Sequence, residues 1–203
     1  MEILKLFPID FFVFYNKNFD NKKLIANLET LEDIQIKKTT QISLLINLKN
    51  NKNFQDLFNW FSDCLKEVKK IKQYDCDQIK ITNSWVNVSL ADYNMYLDTH
   101  KHSMSFYSGI YYLTDGSATT FIDPFEQAID TQLQVLKFNY HPEEKISPEP
   151  GKLIIFPSYI YHKSDIHIAN TSRYIISFNT MPTGKINYNL ATDSKINIKI
   201  EDD

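Results

Sequence analysis

The chemistry available to this sequence rests on four residues. His100 and His102 stand one residue apart in Thr99-His100-Lys101-His102, His162 follows sixty residues later, and Arg173 lies eleven residues beyond it. If the first pair is extended, the period-two alternation of a strand points both imidazoles to one side. His162 closes a three-nitrogen face if the intervening chain folds back, and such a face suits a mononuclear metal with positions open for substrate or oxygen. Arg173 begins the apolar run Arg173-Tyr-Ile-Ile-Ser-Phe-Asn179, in which Arg173, Ile175, Ser177 and Asn179 share one face at the strand period. An inward guanidinium needs a partner, because unpaired buried charge is costly. An anion held bidentately is the economical one. In the opposite parity Arg173 is an ordinary surface cation. The other two histidines read as peripheral. His141 precedes Pro142 in a polar loop, and His167 lies five residues past His162.

The elements that must position these residues begin near Gln78. Strand-like runs over 79–90, 93–100, 105–113, 119–122, 133–140, 152–156, 161–168 and 173–181 follow one another with polar or Pro/Gly breaks. Eight short strands at this spacing predict an antiparallel sandwich or barrel. Asp115-Gly116 is a hairpin turn signal, and Pro148-Glu149-Pro150-Gly151 is a turn into the strand that starts at Lys152. The succession glycine turn, apolar strand, Pro157 and His162 places that histidine just past a corner, at the mouth of the barrel.

The first third of the chain is of another kind. Residues 3–14 read as a buried edge strand broken at Pro8. Asp20 or Asn21 caps a short helix bearing Leu24, Ile25, Leu28 and Leu31. A short strand is expected over 42–48. The clearest helix covers 54–72, where Phe54, Leu57, Phe58, Phe61, Leu65 and Val68 fall at i, i+3, i+4 spacing behind Asn53 as N-cap. Its apolar stripe must bury against something, and a sheet is the expected partner. Near the end, 195–201 alternates isoleucine with polar residues, as a last edge strand would. The reading is one mainly β domain with flanking helices: 1–77 as a buttress, 78–182 as the core and 183–203 as a C-terminal extension.

A chain of 203 residues is long enough for one substantial core. Its net charge of −3 is spread without a basic patch, which argues against a nucleic-acid partner. Two cysteines, Cys64 and Cys76, make no disulfide framework. The opening Met1-Glu2-Ile3-Leu4-Lys5-Leu6-Phe7-Pro8 is neither a signal peptide nor a spanning helix. No membrane association and a reducing cytoplasm are therefore expected.

Asn94…His100-Lys101-His102 followed by Ser108-Gly109-Ile110-Tyr111-Tyr112-Leu113 resembles a 2-oxoglutarate/iron(II) oxygenase family common in marine bacteria and their phages. Trp85-Val86-Asn87, Asp123-Pro124, Phe156-Pro157-Ser158, His162, Arg173, Ser177-Phe178-Asn179 and the opening Leu6-Phe7-Pro8 fit the same pattern. The resemblance covers most of the chain and is dense from Trp85 to Asn179. It implies a double-stranded β-helix, the jelly-roll or cupin-like core. It also implies iron(II) as cofactor, 2-oxoglutarate as cosubstrate, molecular oxygen, and the host cytoplasm if the gene is a phage's. In such oxygenases a histidine, a carboxylate two residues on and a distal histidine hold the metal. His100 matches the first and His162 the last. His102 stands where the carboxylate belongs. It is read as a third nitrogen ligand, or as a neighbour of the metal with water completing the sphere. Three imidazoles would also suit zinc or nickel.

Arg173 matches the family's anchor for the distal carboxylate of the oxo acid, although the serine often found two residues later is Ile175 here. Tyr112 is the candidate second contact, with Tyr111 in the other parity. Asn87, Asn94, Ser177 and Asn179 are candidates for the site mouth. The family supplies no substrate, so small molecules and protein side chains both stay open. An oligomer also stays open, with the aromatic N-terminal segment covering either its own sheet or a second subunit. Two competing readings are a cupin-type three-histidine metalloenzyme that does not use 2-oxoglutarate, and a non-catalytic jelly-roll module.

Overall fold

The computed structural model describes residues 9–31, 42–45, 48–91, 93–125, 142–189, 191 and 194–200. In chain order the elements are β1 (Phe12–Tyr15), α1 (Asn21–Glu29), β2 (Ile42–Leu45), α2 (Gln55–Lys72), β3 (Gln78–Ser89), β4 (Met95–His100), β5 (Tyr107–Tyr112), β6 (Thr119–Ile122), β7 (Glu143–Ile146), β8 (Lys152–Pro157), β9 (His162–His167), β10 (Arg173–Ile186) and β11 (Ile196–Ile198). Two sheets face each other. The larger runs β1-β8-β5-β10-β3-β2, with β11 pairing the far end of β10, and the smaller runs β4-β9-β6-β7. The described ladders are all antiparallel. This is the expected mainly β, jelly-roll type of core with flanking helices.

Two apolar layers hold it. Between the sheets, Ile110, Tyr112, Phe121, Ile154, Phe156, Ile160 and Ile175 form one buried cluster. On the outer face of the larger sheet, α2 buries Leu57, Phe58, Phe61, Cys64, Leu65 and Val68, the stripe that its sequence spacing predicts. Phe61 meets Tyr111 at 5.4 Å and Phe178 at 5.0 Å between ring centroids. Alternation along β5 explains both layers: Ile110 and Tyr112 point between the sheets, while Tyr111 points to the helix. Cys64 and Cys76 are free and buried, and burial pushes the Cys64 thiol up to about 12. Among the described residues no helix is long and apolar enough to cross a membrane.

Several expectations are corrected. Asp115-Gly116 does not close a hairpin, since β5 pairs with β8 and β10 while β6 pairs with β7 and β9. The turn instead carries the chain from one sheet to the other, with Gly116 at φ +136°. Asn53 does not cap α2. The cap position is Phe54, without a side-chain bond, and it is Asn51 that accepts from the Asn53 N–H in the short 3₁₀ turn before it. Asp20, as expected, caps α1 by accepting from Lys23 N–H. The strand expected at 133–140, His141 and Leu6-Phe7-Pro8 lie outside the described residues. Strand β7, which was not expected, forms the rim of the smaller sheet beside β6.

Gly109 on β5 is required by close approach. A Cβ there would run into the tip of the Phe178 ring, which is fully buried on the neighbouring strand and held by Phe61. Gly109→Ala should therefore destabilise the protein by about 1–3 kcal/mol through overpacking, read as a lower denaturant midpoint at unchanged m-value. An unchanged midpoint would show that the Phe178 ring can yield.

Candidate metal and anion site

The three histidines meet because β4 pairs with β9. His100, the last residue of β4, stands directly opposite His162, the first of β9. His102 follows just past the strand end, where its backbone N–H donates to the Ser158 carbonyl at 3.0 Å. One ring nitrogen from each residue lies within 4.8 Å of the others, and among the described residues no carboxylate or thiol joins the group. The rings are oriented from outside. His100 Nδ1–H donates to the Asp98 carbonyl at 2.7 Å, and His162 Nδ1–H donates to the Ile160 carbonyl at 3.1 Å. Both bonds leave Nε2 with a bare lone pair. His102 stacks on Trp85 at 5.0 Å between centroids, and Phe121 and Phe156 flank His162.

His102 Nε2 lies 3.2 Å from His162 Nε2. Two nitrogens so close need something between them, either the hydrogen of one neutral ring donating to the other or a cation. The spacing also fits two imidazoles that share one ion at about 2.1 Å. Burial, with His100 nearby, pushes His102 down to about 4 and His162 down to about 3. Both are thus neutral at pH 7, the protonation state a metal requires. By donor set and spacing, His100, His102 and His162 can hold a metal ion.

Arg173, the first residue of β10, reaches from the larger sheet toward the smaller one. It is 1% exposed, and it is the only arginine among 203 residues that include 21 lysines. No carboxylate pairs with it among the described residues. Its described contacts are a long bond from Nη2 to Thr119 Oγ1 at 3.4 Å and the Tyr112 ring at 5.8 Å. Nε has no acceptor. Burial holds the guanidinium below its ordinary pKa. Asn87 Oδ1, Ser89 Oγ, Ser117 Oγ and His167 Nδ1 are likewise buried without partners. Native interiors leave few such atoms, and each one calls for an explanation.

One cleft joins the two groups. Trp85, Asn87, His100, His102, Thr119, Phe156, His162, Arg173, Ile175 and Ser177 all line it. Arg173, Ile175 and Ser177 share the inward face, as the first parity requires. Asn179 lies further along β10, where it accepts from Ser108 Oγ at 2.8 Å. Asn94 is exposed in the turn before β4, at φ +48°, and does not line the cleft. Tyr112 lies on the cleft side of its sheet, but its hydroxyl donates to Thr119 Oγ1 at 2.7 Å, so Thr119 is the residue that meets the cavity. Tyr111 points the other way and donates to Asn21 Oδ1. Thr119 was not singled out in the sequence, where it is one of two adjacent threonines in Ala118-Thr119-Thr120. The cavity is narrow, about 20 Å3.

Residues 83–179 match the family model described as "Putative 2OG-Fe(II) oxygenase". HygX from Streptomyces hygroscopicus, solved with nickel and 2-oxoglutarate bound, superposes with a TM-score of 0.59 at 11% identity, covering 86% of this chain and 83% of that one. SnoK, a non-heme alpha ketoglutarate dependent carbocyclase from nogalamycin biosynthesis, gives 0.65 at 8% identity over 96% and 90%. A Pseudomonas putida prolyl-4-hydroxylase gives 0.57 at 11% identity over 87% and 94%. These likenesses establish a shared fold. No curated protein matches the chain.

A buried cation without a counter-charge does not stabilise a fold. Arg173→Met, similar in volume, should leave the thermal stability of the metal-free protein unchanged or raise it, by up to about 4 kcal/mol. A loss of stability in calorimetry would mean that Arg173 is kept for the fold rather than for a ligand.

Proposed function

We propose that the chain, which through residues 83–179 belongs to the 2OG-Fe(II) oxygenase family, holds iron(II) on His100, His102 and His162 and the far carboxylate of 2-oxoglutarate on Arg173. Membership makes it an enzyme, an oxygenase dependent on iron(II) and 2-oxoglutarate. The observation that carries the residue assignment is the sole arginine, buried with no carboxylate partner among the described residues, in the same cleft as three converging imidazoles.

When bound, iron(II) with 2-oxoglutarate and oxygen supplies the oxidising chemistry: the oxo acid leaves as succinate and carbon dioxide, and the second oxygen atom enters the substrate. The protein binds, orients and excludes water. The Asp98 and Ile160 carbonyls keep the Nε2 atoms of His100 and His162 free of protons. Trp85 sets the ring plane of His102. Three neutral imidazoles, unlike two imidazoles and a carboxylate, cancel none of the ion's charge, and with Arg173 that suits a dianion. Thr119 accepts from Tyr112 and so turns its own proton toward the cavity, giving the carboxylate a second donor beside the guanidinium. Ile110, Phe156 and Ile175 keep this end dry. A cavity of about 20 Å3 is too small for a dicarboxylate, so cosubstrate binding on this reading widens it.

The substrate, on this reading, is a small molecule or protein side chain that is hydroxylated. The compartment is a reducing cytoplasm, in keeping with two free, buried thiols. Anaerobic titration of metal-free protein with iron(II) and then 2-oxoglutarate should give a visible charge-transfer band only when both are present. His162→Ala should abolish iron binding, and full retention of iron would sink the ligand set. Arg173→Met should weaken 2-oxoglutarate binding about 100-fold, the loss of roughly 3 kcal/mol expected for a buried charged pair. Tight iron binding with no band would instead favour a three-histidine metalloenzyme that uses no oxo acid.

A further inference from the structure

We propose that His167 is a positioning residue for Arg173: its Nδ1 and the Arg173 Nε–H, neighbours that are not bonded to each other in this structure, pair in the working protein and hold the guanidinium with its two terminal nitrogens toward the cavity. The proposal rests on the reading that Arg173 binds the cosubstrate carboxylate.

His167 is 1% exposed at the end of β9. Its Nε2–H donates to the Thr171 carbonyl at 2.7 Å, so the neutral ring carries its proton there and Nδ1 is an acceptor. Among the described residues that acceptor is buried without a donor, while Arg173 Nε is a buried donor without an acceptor. The two side chains converge on one point. A Cβ on Gly116 would lie 3.0 Å from His167 Nδ1, 2.9 Å from its Cε1 and 3.1 Å from Arg173 Cδ. Gly116, at φ +136°, leaves that point empty and lets the two groups be neighbours. Left apart, each orphan carries the desolvation cost of an unmade bond, and one bond between them removes both costs. Ser89, opposite Arg173 in the β3–β10 register, and Ser117 are the other unpartnered groups of this cluster. Their hydroxyls can donate or accept, whereas the Arg173 Nε–H can only donate.

The choice of a histidine has a chemical meaning. A carboxylate in its place would fix the guanidinium equally well but would neutralise it. A neutral imidazole nitrogen orients the cation and leaves its charge for the ligand.

The single arginine makes the test direct, because 15N-labelled protein has one Arg Nε–H resonance. It is recorded in metal-free protein and again with zinc and 2-oxoglutarate. A scalar coupling from that Nε to a histidine ring nitrogen is expected, and it should vanish in His167→Leu. His167→Leu should also weaken 2-oxoglutarate binding to the iron(II) protein about tenfold, as for the loss of a hydrogen bond to a charged group, with iron(II) affinity unchanged. His167→Asn, whose carbonyl oxygen stands near the Nδ1 position, should recover most of that loss. Absence of the coupling in both states of the wild-type protein overturns the proposal even if His167→Leu fails to fold. So does unchanged 2-oxoglutarate affinity in His167→Leu while Arg173→Met weakens it. If Arg173→Met also leaves the affinity unchanged, the reading of Arg173 as the carboxylate anchor has failed, and the proposal built on it fails too.

Discussion

The apolar contact between the two sheets is what the site depends on. The histidines belong to the smaller sheet and the strand end beyond it, Arg173 to the larger, and among the described residues no disulfide or ion pair joins the two sides, only the bonds of Tyr112 and Arg173 to Thr119. Their separation is set by the layer of Ile110, Tyr112, Phe121, Ile154, Phe156 and Ile175. Such packing is dense and gives little under strain. It can therefore keep a cation and three imidazoles on opposite sides of one cleft with few polar cross-links to compete for the same ligands. Burial of this layer is also what makes the lone guanidinium costly to leave unliganded.

The second layer works from the opposite face. Strands β5 and β10 run through the middle of the larger sheet, and α2 presses Phe61 onto Tyr111 and Phe178 from behind. A residue on the inner face of these strands thus sits on a backbone covered on both sides. Side chains carried on such a support are placed more accurately than those on loops. His102, by contrast, lies just past the end of a strand. Its position is recovered locally, by the backbone bond to Ser158 and the stacking on Trp85.

Much of this was legible in the sequence, and the failures have physical causes. The α2 stripe and the inward face of Arg173, Ile175 and Ser177 follow from simple periods, because both elements are regular. Strand β7 was invisible, since Glu143-Glu-Lys-Ile146 is an exposed rim with no apolar signal. His167 was set aside because strict alternation turns it away from His162. The β4–β9 ladder shifts register between Ser164 and His167, and the extra residue brings the ring back inside. A second irregularity between Leu97 and His100 puts those two residues on one face for the same reason. Asp115-Gly116 was misread because a turn signal reports local chirality and not which sheet the next strand joins. A count was the overlooked clue: where lysine serves everywhere else, one arginine marks a place that needs a fixed planar fork.

That count has a practical consequence. Among these 203 residues an arginine-specific protease has a single target, the bond from Arg173 to Tyr174. The bond lies at the start of β10, which is paired with β3 and β5. The Tyr174 N–H donates to Thr114 Oγ1, and its phenol donates to Glu29. Cleavage requires β10 to come away from the sheet. The appearance of two fragments therefore clocks the opening of the central strand itself and ignores the fraying of every loop and terminus.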